Sequence, residues 1–419
     1  MSRKPAKQRG EKTVAVLDVG SSKVAALIAL VGPDEDVPRV IGMHQLACTG
    51  MKSGLVADLA AVESAVRQAM DKAERNAGVT VRDVAVSVSA GGLESDLATV
   101  EVDIGGQRIE RADLDHVHDE ARAGIEPEGR IVLHAEPALY TLDGQNAVIN
   151  PLGLHAETLA VSINILSAER APMQNLEMAV RSADLNVTSK IAAPVAAARA
   201  CLSAQEKALG VALVDLGAGR TNIAIFAQGL MVGFSSIAMG GEDVTQDVAS
   251  ALGTPPYAAE RLKALKGSAS AVPRDNHERI DVPGLQGGDS LYQRPRAELV
   301  HAIRGRLDVL FALIDERFEE LGFVGPRARQ VVLAGGGAAL AGIADYAEGI
   351  LGRNVRIGAP SGLTGFPEQQ QASAFNVLTG LALMASEDQP DFWQQKTTTF
   401  VPAEGSGLSR MWRLLKQNI

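Results

Sequence analysis

The chain has 419 residues, 40 Lys and Arg against 50 Asp and Glu, and a formal net charge of −10. That length supports two or more packed domains, and the acidic balance argues against a general nucleic-acid binder, which would usually be basic. No uninterrupted apolar run of about 18 residues occurs, so no segment reads as a membrane-spanning helix; the two cysteines, Cys48 and Cys201, lack metal-ligand spacing and fit a reducing compartment as small buried side chains.

Residues 1–12 hold five basic residues and one acid and read as a disordered basic tail, with no signal peptide behind it. Residues 14–23, VAVLDVGSSK, predict a strand ending in a tight glycine-bearing turn, and a second apolar run follows over 24–30. The same pattern returns half a chain later: residues 211–220 read VALVDLGAGR, and 223–227 form the second run. Apolar side chains on both faces imply buried sheets. A matched repeat at this spacing predicts two related α/β domains facing each other.

Residues 267–294 are rich in Ser, Gly, Pro and charge and predict a long exposed loop. Over 298–321, Leu299, Ile303, Leu307, Leu310, Ile314 and Phe318 recur at helical spacing, so a long helix is expected to bury them as a core stripe. Residues 330–340, QVVLAGGGAAL, predict a strand, three glycines and then a helix near 339–351. Residues 385–407 are polar, with Thr, Gln and Pro, and read as a flexible linker.

The last twelve residues, LSRMWRLLKQNI, predict a short basic amphipathic helix. Leu408, Met411, Trp412, Leu415 and Ile419 share one face, with Leu414 flanking, while Arg410, Arg413, Lys416 and Gln417 lie opposite. Trp suits the headgroup boundary and the cations suit anionic lipids. Docking on the protein's own core is the alternative reading; the linker and the basic face favour a membrane-surface anchor.

The repeated turns suggest a phosphate ligand. Phosphate needs backbone N–H groups that approach closely, and glycine permits that approach. Gly20 and Gly217 occupy equivalent places, Ser21 and Ser22 add hydroxyls, and Gly219 frees the second turn. Lys23 and Arg220 can set positive charge beside the phosphates. Asp18 and Asp215 would repel an anion unless a hydrated Mg²⁺ stood between them. Gly335, Gly336 and Gly337 precede a helix start, which favours an anion or a packed nucleoside. One such turn is more often an ordinary hairpin; two matched copies plus a triple glycine are much more specific. The P-loop pattern is absent, and the second turn lacks the last glycine of a dinucleotide fingerprint.

These residues resemble the actin, Hsp70 and sugar-kinase superfamily. Residues 18–23 look like its first phosphate motif, 215–221 its second and 335–338 its adenosine motif. Residues 130–154, RIVLHAEPALYTLDGQNAVINPLGL, narrow the resemblance to the FtsA family, through His134, Pro137, Tyr140, Asp143, Asn150, Pro151 and Gly153. The stretches GGEDVTQDVASALGTPPYAAERLK at 240–263 and VRIGAP at 355–360 are similar to the same family. The resemblance runs from about residue 13 to 386 and resumes at the C-terminus.

The resemblance implies an α/β, actin-like (ribonuclease H-like) duplicated fold with an inserted FtsA-type small subdomain. It implies a first subdomain over 13–92, the insert over 93–173, a second large subdomain opening over 174–240, its small subdomain over 241–325, a closing part over 326–384, a linker over 385–407 and the membrane helix over 408–419. It implies ATP with Mg²⁺, held by Asp18, Gly20, Ser21, Ser22, Lys23, Asp215, Gly217, Ala218, Gly219, Arg220 and Thr221, with Asp18 and Asp215 reaching the metal through water. Nucleoside contacts would come from Gly241, Glu260, Lys263, Gly335, Gly336, Gly337 and Ala338. His116, His118 and His134 would be surface or packing residues. Implied partners are the FtsZ C-terminal tail, with Arg306 at the contact, further copies of the chain in filaments, anionic lipids and later divisome proteins, but no nucleic acid; the implied place is the cytoplasmic face of the inner membrane at the septum.

Three positions depart from the family pattern. Ala218 stands where glycine is common, and Arg220 and Asn222 stand where Thr and Asp often occur. Ala193 precedes Pro194 where many superfamily ATPases carry a water-orienting acid or amide, so ATP binding with slow or negligible hydrolysis is expected. A sugar or acetate-type kinase is the enzymatic alternative, and a pilus-biogenesis ATPase is another assembly protein on the same superfold. A kinase would need a catalytic base, which the sequence does not offer, and would have no use for the terminal helix.

Overall fold

The computed structural model describes residues 11–32, 37–89, 92–124, 129–148, 150–285, 291–326, 328–366 and 372–387. The chain opens with β1 (Lys12–Val19), β2 (Lys23–Val31) and β3 (Arg39–Ala47), an antiparallel meander. A small hairpin, β4 (Met51–Lys52) and β5 (Leu55–Val56), leads into α1 (Leu59–Ala77) and β6 (Asp83–Val88). Asp58 caps α1 by accepting from the Ala61 N–H, and Gly78 ends it in the left-handed conformation. Val62, Val66, Ala69, Met70 and Ala73 form the buried stripe that lays α1 on the sheet.

An inserted layer follows: β7 (Glu94–Asp103), α2 (Arg111–Gly124), β8 (Arg130–Leu142), β9 (Asn146–Val148) and β10 (Thr158–Glu169). Its strands run in the order β7-β10-β8-β9 and enclose a separate core around Val117, Leu159, Val161, Ile163 and Ile165. The first sheet then closes through α3 (Arg170–Ser182) and β11 (Asn186–Ala192), giving the order β11-β6-β1-β2-β3. His134 of β8 is buried, accepts from the Ala192 N–H through Nε2 at 3.0 Å, and thereby pins the insert to the end of β11. Burial pushes its pKa down to about 4.

Helices α4 (Ala193–Cys201) and α5 (Ala204–Leu209) carry the chain into the second half. There β12 (Val211–Leu216), β13 (Thr221–Ala227) and β14 (Leu230–Ile237) repeat the meander. Then come α6 (Gly241–Leu252), α7 (Pro256–Lys266), β15 (Arg279–Pro283), β16 (Leu291–Pro295) and the 25-residue α8 (Arg296–Glu320). The second sheet is completed by β17 (Gln330–Ala334), α9 (Ile343–Leu351) and β18 (Asn354–Ile357), in the order β14-β13-β12-β17-β18. Each sheet is an antiparallel triplet extended by two parallel strands, so the repeat read in sequence is a duplicated topology. Helix α10 (Asn376–Ser386) returns to the first half and packs on β1 and α4.

The apolar stripe of α8 is buried at all six expected positions. The loop expected over 267–294 is corrected: residues 279–283 and 291–295 form an antiparallel hairpin, with Ile280 and Val282 buried. Two apolar residues at period two, buried in the same core as the stripe of α8, outweigh a loop-like composition. The triple glycine also differs from expectation. Residues 336–339 make a 3-10 turn, and α9 starts only at Ile343, after Gly342 in the left-handed region. Strand β1 begins at Lys12, inside the expected tail. Both cysteines are free and buried. The expected membrane helix, with Leu408, Arg410, Met411, Trp412, Arg413, Leu415, Lys416 and Ile419, lies outside the described residues, as does residue 388 onward of the linker.

Candidate functional site

The two repeated turns are built alike. In each, the glycine N–H donates to the carbonyl of the basic residue three places on: Gly20 to Lys23 and Gly217 to Arg220, both at 2.9 Å. A Cβ at Gly217 would lie 2.7 Å from the Arg220 carbonyl oxygen, so the tight turn needs glycine there. The turns face each other. A Cβ at Gly219 would lie 2.8 Å from Ser21 Oγ and 2.9 Å from Ser53 Cα, which places the first and second halves in contact across the cleft.

Beneath the turns the two acids meet. Burial and the neighbouring Asp18 charge push the Asp215 carboxyl up to about 7. Asp18 is also raised by burial, although the Ser87 hydroxyl, 2.6 Å from Oδ1, and Lys23 favour its charged form. Lys23 is drawn down by burial and held up by both acids. Its ammonium donates to the Ala374 carbonyl at 3.1 Å and stands over the Phe375 ring. The buried Asp215 and the half-buried Asp18 share one half-buried lysine, so their charge exceeds what Lys23 neutralises, which is the donor chemistry a hydrated Mg²⁺ needs.

Gly335 closes the floor of the site. Its φ is 80°, and a Cβ there would lie 2.4 Å from Asp215 Oδ1. Ser373 Oγ donates to the Gly335 carbonyl at 3.0 Å. Gly336 is exposed, Gly337 packs against Leu216, and Ala338 faces the core rather than the cleft. The start of α6 is tied to the second turn: the Gly241 and Glu242 N–H groups donate to the Gly217 and Ala218 carbonyls at 2.9 and 2.8 Å. From α7, Lys263 reaches back to the Gly241 carbonyl and Thr245 Oγ1, both at 2.7 Å, and pairs with Glu260 at 2.6 Å. Thr245 also donates to Glu260.

The structure therefore brings Asp18, Gly20, Ser21, Lys23, Asp215, Gly217, Gly219 and Gly335 into one cleft, with Gly241 and Lys263 joined to the same second turn. Ser22 is exposed. Thr221 is fully buried and donates to the Met239 carbonyl, so its hydroxyl is committed to the fold. Arg220 turns toward the first half, where Nε donates to the Ser53 carbonyl at 2.9 Å. Arg306 lies away from the cleft in a bidentate pair with Asp247, at 2.7 and 2.8 Å. Sequence reasoning passed over Ser87, Thr245 and the Ser53–Gly54 turn. Thr245 stands four residues after Gly241, one helical turn on, which is a readable signal; Ser53 gives none, because its partner is 167 residues away.

His118 Nε2 lies 2.6 Å from the Tyr140 hydroxyl, a packing contact inside the insert. Among the described residues no group of three or more His, Cys, Asp or Glu could by itself hold a metal, so any cation at Asp18 and Asp215 would complete its shell with ligand oxygens and water.

Two duplicated sheets with acid-and-glycine turns meeting across a cleft define an actin-like protein. Solved structures agree on the fold. The PilM–PilN type IV pilus biogenesis complex matches with a TM-score of 0.62 at 19% identity, covering 89% of this chain and 98% of that one. An MreB of Spiroplasma citri bound to ADP matches with a TM-score of 0.52 at 13% identity, covering 88% and 94%. A family model described as "Cell division protein FtsA" matches residues 212–380, and one described as "SHS2 domain inserted in FTSA" matches 91–167. The cell division protein FtsA of Agrobacterium fabrum is 36% identical over 428 aligned positions, covering 99% of this chain and 97% of that protein. The chain belongs to the FtsA family of cell division proteins.

Proposed function

We propose that this chain binds Mg-ATP between its two halves and serves cell division as a membrane-bound, filament-forming adaptor. The observation that carries the reading is the pair of matched turns meeting across the cleft over the buried Asp215 and the half-buried Asp18. Gly20, Ser21, Gly217 and Gly219 would cradle the phosphates. Lys23 would supply charge, and Asp18 and Asp215 would hold the hydrated cation. Lys263, Glu260 and the Gly335–Gly337 turn would bound the nucleoside. The cation neutralises phosphate charge, and the chain's own groups set its position. The first turn of α4 presents Ala193 and Pro194, both buried, which favours slow hydrolysis.

In this reading residues 13–92 and 174–240 belong to the large subdomains, 93–173 is the insert, 241–325 the second small subdomain and 326–384 the closing part. Residues 408–419 lie on anionic lipid at the inner face of the membrane. The FtsZ tail docks on the second small subdomain and later divisome proteins follow. A groove of about 830 Å³ runs along α8, lined by Val272, Pro273, His301 and Arg304 together with the acids Asp275, Glu298 and Asp308; Arg306 is not part of its lining. A partner carboxylate at Arg306 would have to displace Asp247.

Calorimetry tests the cleft. The full chain should bind ATP with Mg²⁺. Asp215→Ala, or chelation of Mg²⁺, should weaken binding about 10- to 100-fold, the worth of one charged contact. Equal heats with and without Mg²⁺ in both proteins would refute the reading.

A further inference from the structure

We propose that the Ser53–Gly54 peptide is a latch between the two halves, one amide that orients the Ser21 hydroxyl and holds Arg220. Strands β4 and β5 pair Met51 with Val56 and Lys52 with Leu55, which leaves Ser53 and Gly54 as a two-residue turn. Both have positive φ, 48° and 78°. That is the pattern of a type I′ hairpin turn, and it is costly for a serine. Met51 is buried in the first half and anchors the hairpin there.

The two ends of this amide face opposite partners. Its carbonyl, on Ser53, accepts from Arg220 Nε of the second half at 2.9 Å. Its N–H, on Gly54, donates to Ser21 Oγ of the first phosphate turn at 2.8 Å. Gly219 lets the Ser53 backbone approach, since a Cβ there would meet Ser53 Cα. Arg220 is steadied by Ser236 Oγ at 3.4 Å.

The chemistry follows from the donor count. A hydroxyl that accepts the Gly54 N–H turns its own proton elsewhere, and a phosphate oxygen in the cleft would receive it. Rotating the amide by half a turn would set carbonyl against hydroxyl oxygen and N–H against guanidinium, so both bonds break together. That rotation would turn the type I′ turn into type II′, which calls for glycine at the first place, where Ser53 stands, so the amide is held in the observed setting. The latch thus couples the first phosphate turn to contact between the halves. The tie across the cleft stands on the geometry alone; its response to ligand rests on the Mg-ATP reading above.

Amide hydrogen exchange on the full chain, with and without Mg-ATP, separates the two. Without nucleotide, Arg220→Met should speed exchange of the Gly54 amide about tenfold, the worth of one ordinary hydrogen bond. With nucleotide, release of a fluorescent ATP analogue should quicken by a similar factor, and the effects of Arg220→Met and Ser21→Ala should be non-additive. Unchanged Gly54 exchange in Arg220→Met, or strict additivity, overturns the latch. Failure of the wild-type chain to bind Mg-ATP overturns the nucleotide reading instead, and exchange in the nucleotide-free protein still decides the tie. Should Arg220→Met fail to fold, Gly54→Val should release nucleotide faster while Ser53→Asn, which favours the same turn and keeps both backbone bonds, matches wild type; equal release from both overturns the proposal.

Discussion

His134 shows how much one side chain can carry. It is buried where β8 meets the end of β11, and it must be neutral at Nε2 to accept the Ala192 N–H. Its pKa falls from 6.5 unfolded to about 4 folded. Between those values the unfolded chain takes up a proton that the folded chain refuses. The stabilisation is therefore complete above pH 6.5 and is lost as pH falls toward 4, by about 3 kcal/mol from this group. Thermal unfolding followed over pH 4–7 should show that slope, and His134→Gln, which can still accept the N–H, should flatten it. A variant as acid-sensitive as wild type would exclude His134 as the cause. The family resemblance marked His134 only as a surface or packing residue. The carbonyls, acids and glycines of the two turns were legible because they lie next to one another in the chain. The partners of Arg220 and His134 were not, because tertiary contacts 167 and 58 residues apart leave no local trace.

At the scale of elements, the described glycine with least room for a side chain sits between two helices. A Cβ at Gly380 of α10 would lie 1.7 Å from the Ala196 carbonyl oxygen of α4. In an ordinary helix Gly→Ala gains about 1 kcal/mol from propensity. Here overpacking reverses the sign, and Gly380→Ala should cost about 3 kcal/mol net by urea unfolding. A neutral or stabilising result would mean the crossing relaxes. The long helix was readable because burial imposes a regular period on sequence, and the first hairpin of each meander because its strands are apolar on both faces; the third strands, β3 and β14, were not read. The β15–β16 hairpin was misread because it supplies only two buried apolar residues among many turn formers. The need for Gly380 was hidden for a different reason: a glycine inside an apolar run shows that space is tight only when the opposing helix is known.

For the whole molecule, the duplicated topology was foreseen from one repeat, and the insert from resemblance. Membrane attachment is tested by removing residues 408–419. The truncated chain should stay in the supernatant with anionic liposomes while the full chain pellets, and added salt should weaken the full chain's binding as it screens Arg410, Arg413 and Lys416. Equal pelleting of both chains would disprove the anchor. No helix among the described residues is long and apolar enough to cross a membrane.

The inserted layer has a mechanical meaning of its own. It grows out of the first half between β6 and β11, yet the amide of Asn164 on β10 donates at 2.7 Å to the Met231 carbonyl on β14 of the second half, in a buried contact. It is rooted on one jaw and fastened to the other. A hinge motion of the cleft would have to break this bond or strain the sheet, so while it holds, a load placed on the insert reaches both jaws.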